Sequence, residues 1–221
     1  MAYFTSDFVQ FFKELGGNNN KEWFDENRKR YETQVKDPFK KLIEDLITEI
    51  RKDEPELLVE AKDCIFRINR DIRFSKDKTP YKTQTSAVIS PGGRKNMRVP
   101  GMYLEITPER IAVYGGLYMP DSKLLNNVRL FIADNIDAFK KAYSNKGFVD
   151  RYGKIHGETN KRIDKQFQQK AEQEPLLYNK QFYYYAHLPV KLLTTDKLVP
   201  TILEYYNASA PVKEFLREAV L

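Results

Sequence analysis

Apolar residues recur at helical spacing from the start of the chain. Phe8, Phe12 and Leu15 form one stripe; Thr5 or Ser6 can cap it, and Gly16-Gly17 can end it through a left-handed residue. After the turn Asn18-Asn19-Asn20, Asn19 with Glu22 three residues later has the form of a capping box. Trp23, Phe24, Asn27, Tyr31 and Val35 then share a second helical stripe. Asp37-Pro38 restarts the register, with Asp as N-cap and Pro at the first helical position. Phe39, Leu42, Ile43, Leu46, Ile47 and Ile50 give the cleanest amphipathic helix.

The period changes in the middle of the chain. Ile65, Phe66, Ile68, Ile72 and Phe74 lie in a strand-like run, and Gln84–Ser90, Met102–Thr107 and Arg110–Met119 read as further short strands. Pro91-Gly92-Gly93 and Pro108-Glu109 punctuate them as turns of an antiparallel meander. Pro120-Asp121-Ser122 caps a helix carrying Leu124, Leu125, Val128, Phe131 and Ile132, and another follows from about Asn135 to Tyr143. Phe148–Glu158 fits a strand or a turn-rich loop, and Asn160–Glu174 an exposed helix or loop. Phe182–Leu188 reads as a strand, and Thr195-Asp196 and Ala210-Pro211 introduce closing helices. The expected class is α+β: one domain over residues 1–221, a central antiparallel sheet flanked by N-terminal, middle and C-terminal helices.

Composition narrows the setting. With 221 residues and 41% apolar content, the chain can build a sizeable core, while 37 Lys+Arg against 31 Asp+Glu give it a mild basic bias of +6. Its one cysteine, Cys64, excludes an internal disulfide framework and reads as a buried thiol. Two histidines, His156 and His187, lack metal-ligand spacing, so no metal site is expected and no cofactor is assigned. No apolar window is long enough to span a membrane, and the N-terminus lacks the form of a signal peptide. A cytoplasmic, membrane-free protein is expected.

The densest chemistry lies between Arg67 and Thr83. As a strand, this run places Phe66, Ile68, Ile72 and Phe74 on one face with Arg70 among them, and Arg67, Asn69, Asp71, Arg73 and Ser75 on the other. Lys78, Tyr81 and Lys82 decorate a turn kinked at Pro80. Guanidinium groups offer planar donor forks suited to phosphate or carboxylate. An arginine among core residues needs an acidic partner or an anionic ligand. Tyr103 and Glu105 share a face of their strand, as do Tyr114, Gly116 and Tyr118 of the next. Gly115-Gly116 within a strand suggests a bulge or a close approach of backbone or ligand. Together these faces can make a basic, tyrosine-lined floor. Alternatively, Asp71, Asp77 and Glu105 pair with the arginines in a structural network.

The same segments resemble a bacterial and fungal family known as domain of unknown function 2461. The resemblance rests on Asn19–Phe24 with Arg28, Tyr31 and Pro38-Phe39, and is sharpest over Phe66–Lys82. Tyr103–Ile106 and Gly115–Pro120 are similar to later blocks of the family. It covers about the first 145 residues distinctly, and the chain departs from the family pattern at Ala186-His187, where relatives carry an Asp-His pair. The resemblance supports the domain assignment and the importance of the arginine block, and implies no reaction.

Three functions fit this pattern. The first is a binding protein or enzyme for a phosphorylated or otherwise anionic small molecule, with Arg67, Arg70 and Arg73, Lys78 and Lys82 on the anion. In it Asn69 and the tyrosines Tyr81, Tyr103, Tyr114 and Tyr118 frame the rest, and Asp71, Asp77 or Glu105 acts as base or Mg²⁺ ligand. No phosphate-loop, zinc-protease, nucleophile-elbow or dinucleotide motif fixes a reaction. The second is a protein-interaction or structural domain whose arginines lock the fold. The third is a nucleic-acid module, with Tyr183-Tyr184-Tyr185, Arg94-Lys95 and Arg98 contributing; +6 spread over 221 residues is modest for that role.

Overall fold

The computed structural model describes residues 2–221. Helix α1 (Ser6–Gly17) starts where Thr5 Oγ1 accepts the Asp7 N–H, and it buries Phe8, Phe11, Phe12 and Leu15. It ends without a left-handed glycine: Gly16 and Gly17 stay helical, and the Asn18 N–H returns to the Leu15 carbonyl. The next cap is Asn20 rather than Asn19. Its side chain accepts the Trp23 N–H at the head of α2 (Lys21–Glu26), followed by α3 (Arg28–Tyr31). Asn19 is engaged elsewhere, as described below.

Nor does the chain stop and restart at Asp37-Pro38. A π-helical turn, Glu32–Lys36, carries α3 directly into α4 (Asp37–Ile50), and the Asp37 N–H reaches back five residues to the Glu32 carbonyl. Pro38 has no N–H to return to the preceding turn, and its ring crowds the carbonyl four residues back; a widened turn accommodates both. The six apolar residues of α4 named above are all buried.

After the one-turn helix α5 (Ala61–Cys64) comes a four-stranded antiparallel meander, β1 (Thr85–Ile89), β2 (Met102–Ile106), β3 (Arg110–Leu117) and β4 (Phe182–Pro189), in the order β1-β2-β3-β4. Between β3 and β4 lie α6 (Ser122–Asp134), α7 (Ile136–Tyr143), α8 (Lys146–Tyr152) and α9 (Lys165–Gln173). Helix α8 takes the first part of the stretch expected as strand or loop, and residues 153–158 form the loop; Asn145 caps the helix and Gly153, at φ +73°, ends it. Helix α9 is less exposed than its polar sequence suggests, because Phe167 and Ala171 are buried. The chain closes with α10 (Leu198–Ala208) and α11 (Ala210–Glu218).

The α+β architecture is therefore as expected, with every helical layer on one side of the sheet. Leu104, Ile106, Ile111 and Val113 join a core with α1, α4 and α10, whereas Leu117, Phe182 and Tyr184 join a second with α6–α9 and α11. The largest correction concerns residues 65–84, which form no strand. Ile65 makes one bridge to Ala87, Asn69 one to Tyr81, and Phe74 is 96% exposed. Asp71 and Asp77 explain this. Their carboxylates take the N–H groups of Arg73 and Thr79, bonds that turn the backbone locally and compete with a ladder. Cys64 is buried, and burial pushes its thiol up to about 11. Among the described residues no helix is long and apolar enough to cross a membrane.

One buried charge cluster joins distant parts of the chain. Glu54, just after α4, accepts from Tyr206 Oη at 2.5 Å, from Arg217 Nη1 at 2.6 Å and from Lys213 Nζ, which is 2% exposed. Arg217 Nε also donates to the Pro100 carbonyl at 2.8 Å. Burial opposes the Glu54 charge, yet these three donors hold its pKa near 2, below the ordinary 4.5. Glu54→Gln leaves two buried cations without their counter-charge, and a loss of about 3–5 kcal/mol is expected in urea unfolding. Because the folded pKa is depressed, the contribution of Glu54 is complete above about pH 4.5 and disappears as pH falls toward 2. The stability gap between wild type and Glu54→Gln should close over that interval.

Candidate functional site

The outer face of the sheet has no helical cover. Alternation along the strands brings Val88, Tyr103, Tyr114 and Tyr185 into one row across all four strands, since Val88 pairs with Tyr103, Tyr103 with Tyr114, and Tyr114 with Tyr185. Tyr103 and Tyr114 have ring centroids 5.7 Å apart, as do Tyr114 and Tyr185. Phe66 extends this line past β1, 6.0 Å from Tyr103, and His156 extends it past β4, 4.9 Å from Tyr185. The rings form the floor of an open groove of about 750 Å³, with Lys82 and Phe66 on one side, Arg110 and His187 at one end, and Met97, Val99 and Tyr118 at the other.

Two glycines shape this floor. A side chain at Gly115 would strike the buried Tyr184 ring on the inner face; at Gly116, where φ is +90°, it would strike the Phe182 carbonyl of β4. The strand register runs through both without interruption, so the pair serves close approach rather than a bulge.

Electrostatics give the groove a polarity. Lys82 Nζ lies 5.4 Å from the Phe66 ring centroid, and burial, helped by the neighbouring Arg67, lowers its pKa. Among the described residues no carboxylate pairs with it. Burial raises the pKa of Tyr103 and Tyr114, and Glu105 adds to the shift, so both phenols stay protonated and able to donate. Burial and Lys154 lower the pKa of His156, keeping that imidazole neutral near pH 7. Glu105 does not line the groove. Its carboxylate accepts from Gln84 Nε2 at 2.7 Å and lies 3.7 Å from Arg110, so it positions those two side chains.

The candidates from the 67–82 block divide three ways. Lys82 reaches the sheet-face groove together with Tyr103, Tyr114 and Tyr118. Arg67, Asn69 and Tyr81 line a second, basic groove of about 630 Å³ on the far side of Phe66, against the helix running from α2 to α4. Arg70, Asp71, Arg73, Asp77 and Lys78 line neither. Arg70 is bonded to Asp77 and Thr79, Arg73 lies 2.6 Å from Asp71, and Lys78 Nζ donates to the Ile72 carbonyl at 2.9 Å. The Thr79 N–H, joined by Arg70, holds the Asp77 carboxylate near a pKa of 2. These residues stabilise an excursion of the chain. Its base is clamped by Asn19, whose side chain bonds both the N–H and the carbonyl of Tyr81, while the Tyr81 ring stacks on Phe24 at 4.0 Å.

Sequence reasoning did not assign Tyr185, His156 or His187 to this face. The signal was alternation in Phe182–Leu188, which puts Tyr183, Tyr185 and His187 on the side opposite the apolar Phe182, Ala186 and Leu188. His156 carries no comparable signal, because a single bridge to Tyr183 brings it to the sheet.

The fold, the one-sided sheet and the clamped 66–82 excursion are the setting of a family assignment. The chain matches the family described as conserved hypothetical protein (DUF2461) over residues 7–215, and it belongs to that family. The match extends well past the first 145 residues, to include β4 and most of the C-terminal helices. No curated protein and no solved structure matches the chain.

Two substitutions separate scaffold from site. Gly116→Ala forces a side chain into a left-handed position against β4, and a loss of about 1–3 kcal/mol is expected in urea unfolding. Arg73→Ala removes an exposed pair with Asp71 and a contact with the exposed Phe74 ring, and should leave the melting temperature unchanged in a thermal scan.

Proposed function

We propose that this protein binds an anionic, ring-bearing small molecule, such as a nucleotide or another phosphorylated ring compound, in the tyrosine-floored groove. The observation that carries this reading is the row Phe66, Tyr103, Tyr114 and Tyr185 beside Lys82, a half-buried cation for which the described residues supply no counter-charge. Aromatic faces take a planar group at little orientational cost, and a phosphate or carboxylate beside Lys82 restores the charge that burial disfavours. The volume suits a ligand of that size.

This reading moves the anion contact from the arginine block to Lys82 and Arg110. Asp71, Asp77 and Glu105 do not line the groove, so in an enzyme the proton-transfer groups would be Lys82 and His187, which do. The local pairing of Arg70 with Asp77 and of Arg73 with Asp71 favours a structural role for that part of the block.

A thermal-shift titration with AMP, UMP, ribose 5-phosphate and inorganic phosphate tests the proposal. At 100 times its Kd a ligand stabilises by about 2.7 kcal/mol, which for a domain of this size is roughly 5–10 °C. The ring phosphates should shift the melting temperature more than inorganic phosphate does, and the shift should vanish in Tyr114→Ala and in Lys82→Ala. No shift with any ring phosphate, or one that survives both substitutions, overturns the reading.

A further inference from the structure

The basic groove beyond Phe66 is built on a second, independent feature. Arg28, Lys36, Lys40, Lys62, Arg67 and Arg94 line it, against a single carboxylate, Glu32. Three of the cations have partners outside the groove, Arg28 with Asp25, Lys40 with Glu44 and Lys62 with Glu60, while Arg94 Nη1 holds the Lys62 and Ile65 carbonyls. Lys36 and Arg67 are exposed and have no ion-pair partner among the described residues.

The helix geometry is fitted to this lining. Residues 28, 32, 36 and 40 all face the groove at four-residue intervals. In a regular α-helix each such step overshoots a full turn by about 40°, so three steps would carry Lys40 roughly 120° away from Arg28. The π turn over Glu32–Lys36 needs more residues to come round, so its step falls short of a turn and cancels much of that drift. The widened turn thus keeps the cations on one side.

Phe66 lines both grooves, and Arg67 and Lys82 flank it, one in each. A strip of cations therefore leads past one aromatic ring onto a ladder of others. We infer that the ligand of this protein is a single-stranded nucleic acid, its phosphates following the basic groove and its bases stacking on Phe66, Tyr103, Tyr114 and Tyr185. The inference rests on the proposed ring-binding role of the sheet face and extends it from one nucleotide to a strand. Stacking platforms beside cationic grooves bind single strands with little sequence preference and strong salt dependence, whereas a duplex keeps its base faces covered.

Fluorescence anisotropy with a labelled 12-nucleotide oligo-U, the matching duplex and heparin, alongside AMP as competitor, tests it. The expected result is oligo-U binding at least tenfold tighter than AMP and tighter than the duplex or heparin. Lys36→Glu and Arg67→Glu, both on exposed side chains, should each weaken oligo-U at least tenfold and reduce the salt slope by about one, and Lys36→Glu, which does not neighbour Lys82, should leave AMP binding intact. Tyr114→Ala should weaken both ligands. If AMP binds but oligo-U binds no tighter, or the two charge reversals change nothing, the strand inference is overturned and the small-molecule reading stands. If AMP fails and oligo-U, duplex and heparin bind alike, both are overturned in favour of a general polyanion patch.

Discussion

A strand can bury only every second side chain on a given face, and in this protein the helices gather on one face alone. From that constraint most of the molecule follows. Leu104, Ile106, Ile111, Val113 and Tyr184 go inward and knit the N-terminal and C-terminal helical layers to a common sheet. Tyr103, Tyr114, Tyr185 and His187 go outward. The outer side chains are large aromatics, a costly choice for plain solvent exposure, and they are arranged in register instead of scattered. Glu54 closes the construction from the other side by tying the end of α4 to α10 and α11.

Elements held by periodic apolar contacts were legible in the sequence. The six core residues of α4, the four meander strands and the split of Tyr103 and Glu105 from Leu104 and Ile106 all follow from periods of 3.6 or 2. What escaped was decided by local polar competition or by a distant partner. Residues 65–75 have a strand's apolar alternation, but Asp71 and Asp77 divert the backbone into turns. Asn19 has the spacing of a cap, yet Tyr81, sixty-two residues on, claims its side chain. At Pro38 the sequence signals a break, and the chain widens its turn instead. None of these outcomes is encoded in a local period.

The candidate site divides along the same line. Residues named from strand alternation, Tyr103 and Tyr114, came together as expected, whereas those named from charge density did not. Three arginines within seven residues look like one anion site, but a chain that turns sharply between them sends them apart. Arg70 and Arg73 are satisfied by carboxylates seven and two residues away, and Arg67 points to a different groove. Charge proximity in sequence says little about shared direction in space unless a regular element carries the charges. The helix with Arg28, Lys36 and Lys40 is such an element, and its cations do converge.

The two short pairings that flank the sheet have a further consequence. Ile65 meets Ala87 along β1, and His156 meets Tyr183 along β4, each by a single bridge. Open sheet edges invite pairing with strands of other chains, and natural proteins block them. Here one position of each outer strand is taken by a segment too irregular to act as a template itself. The ring ladder ends at those same segments, with Phe66 following Ile65 on one side and His156 on the other. The residues that bound the aromatic face thus also occupy part of each sheet edge.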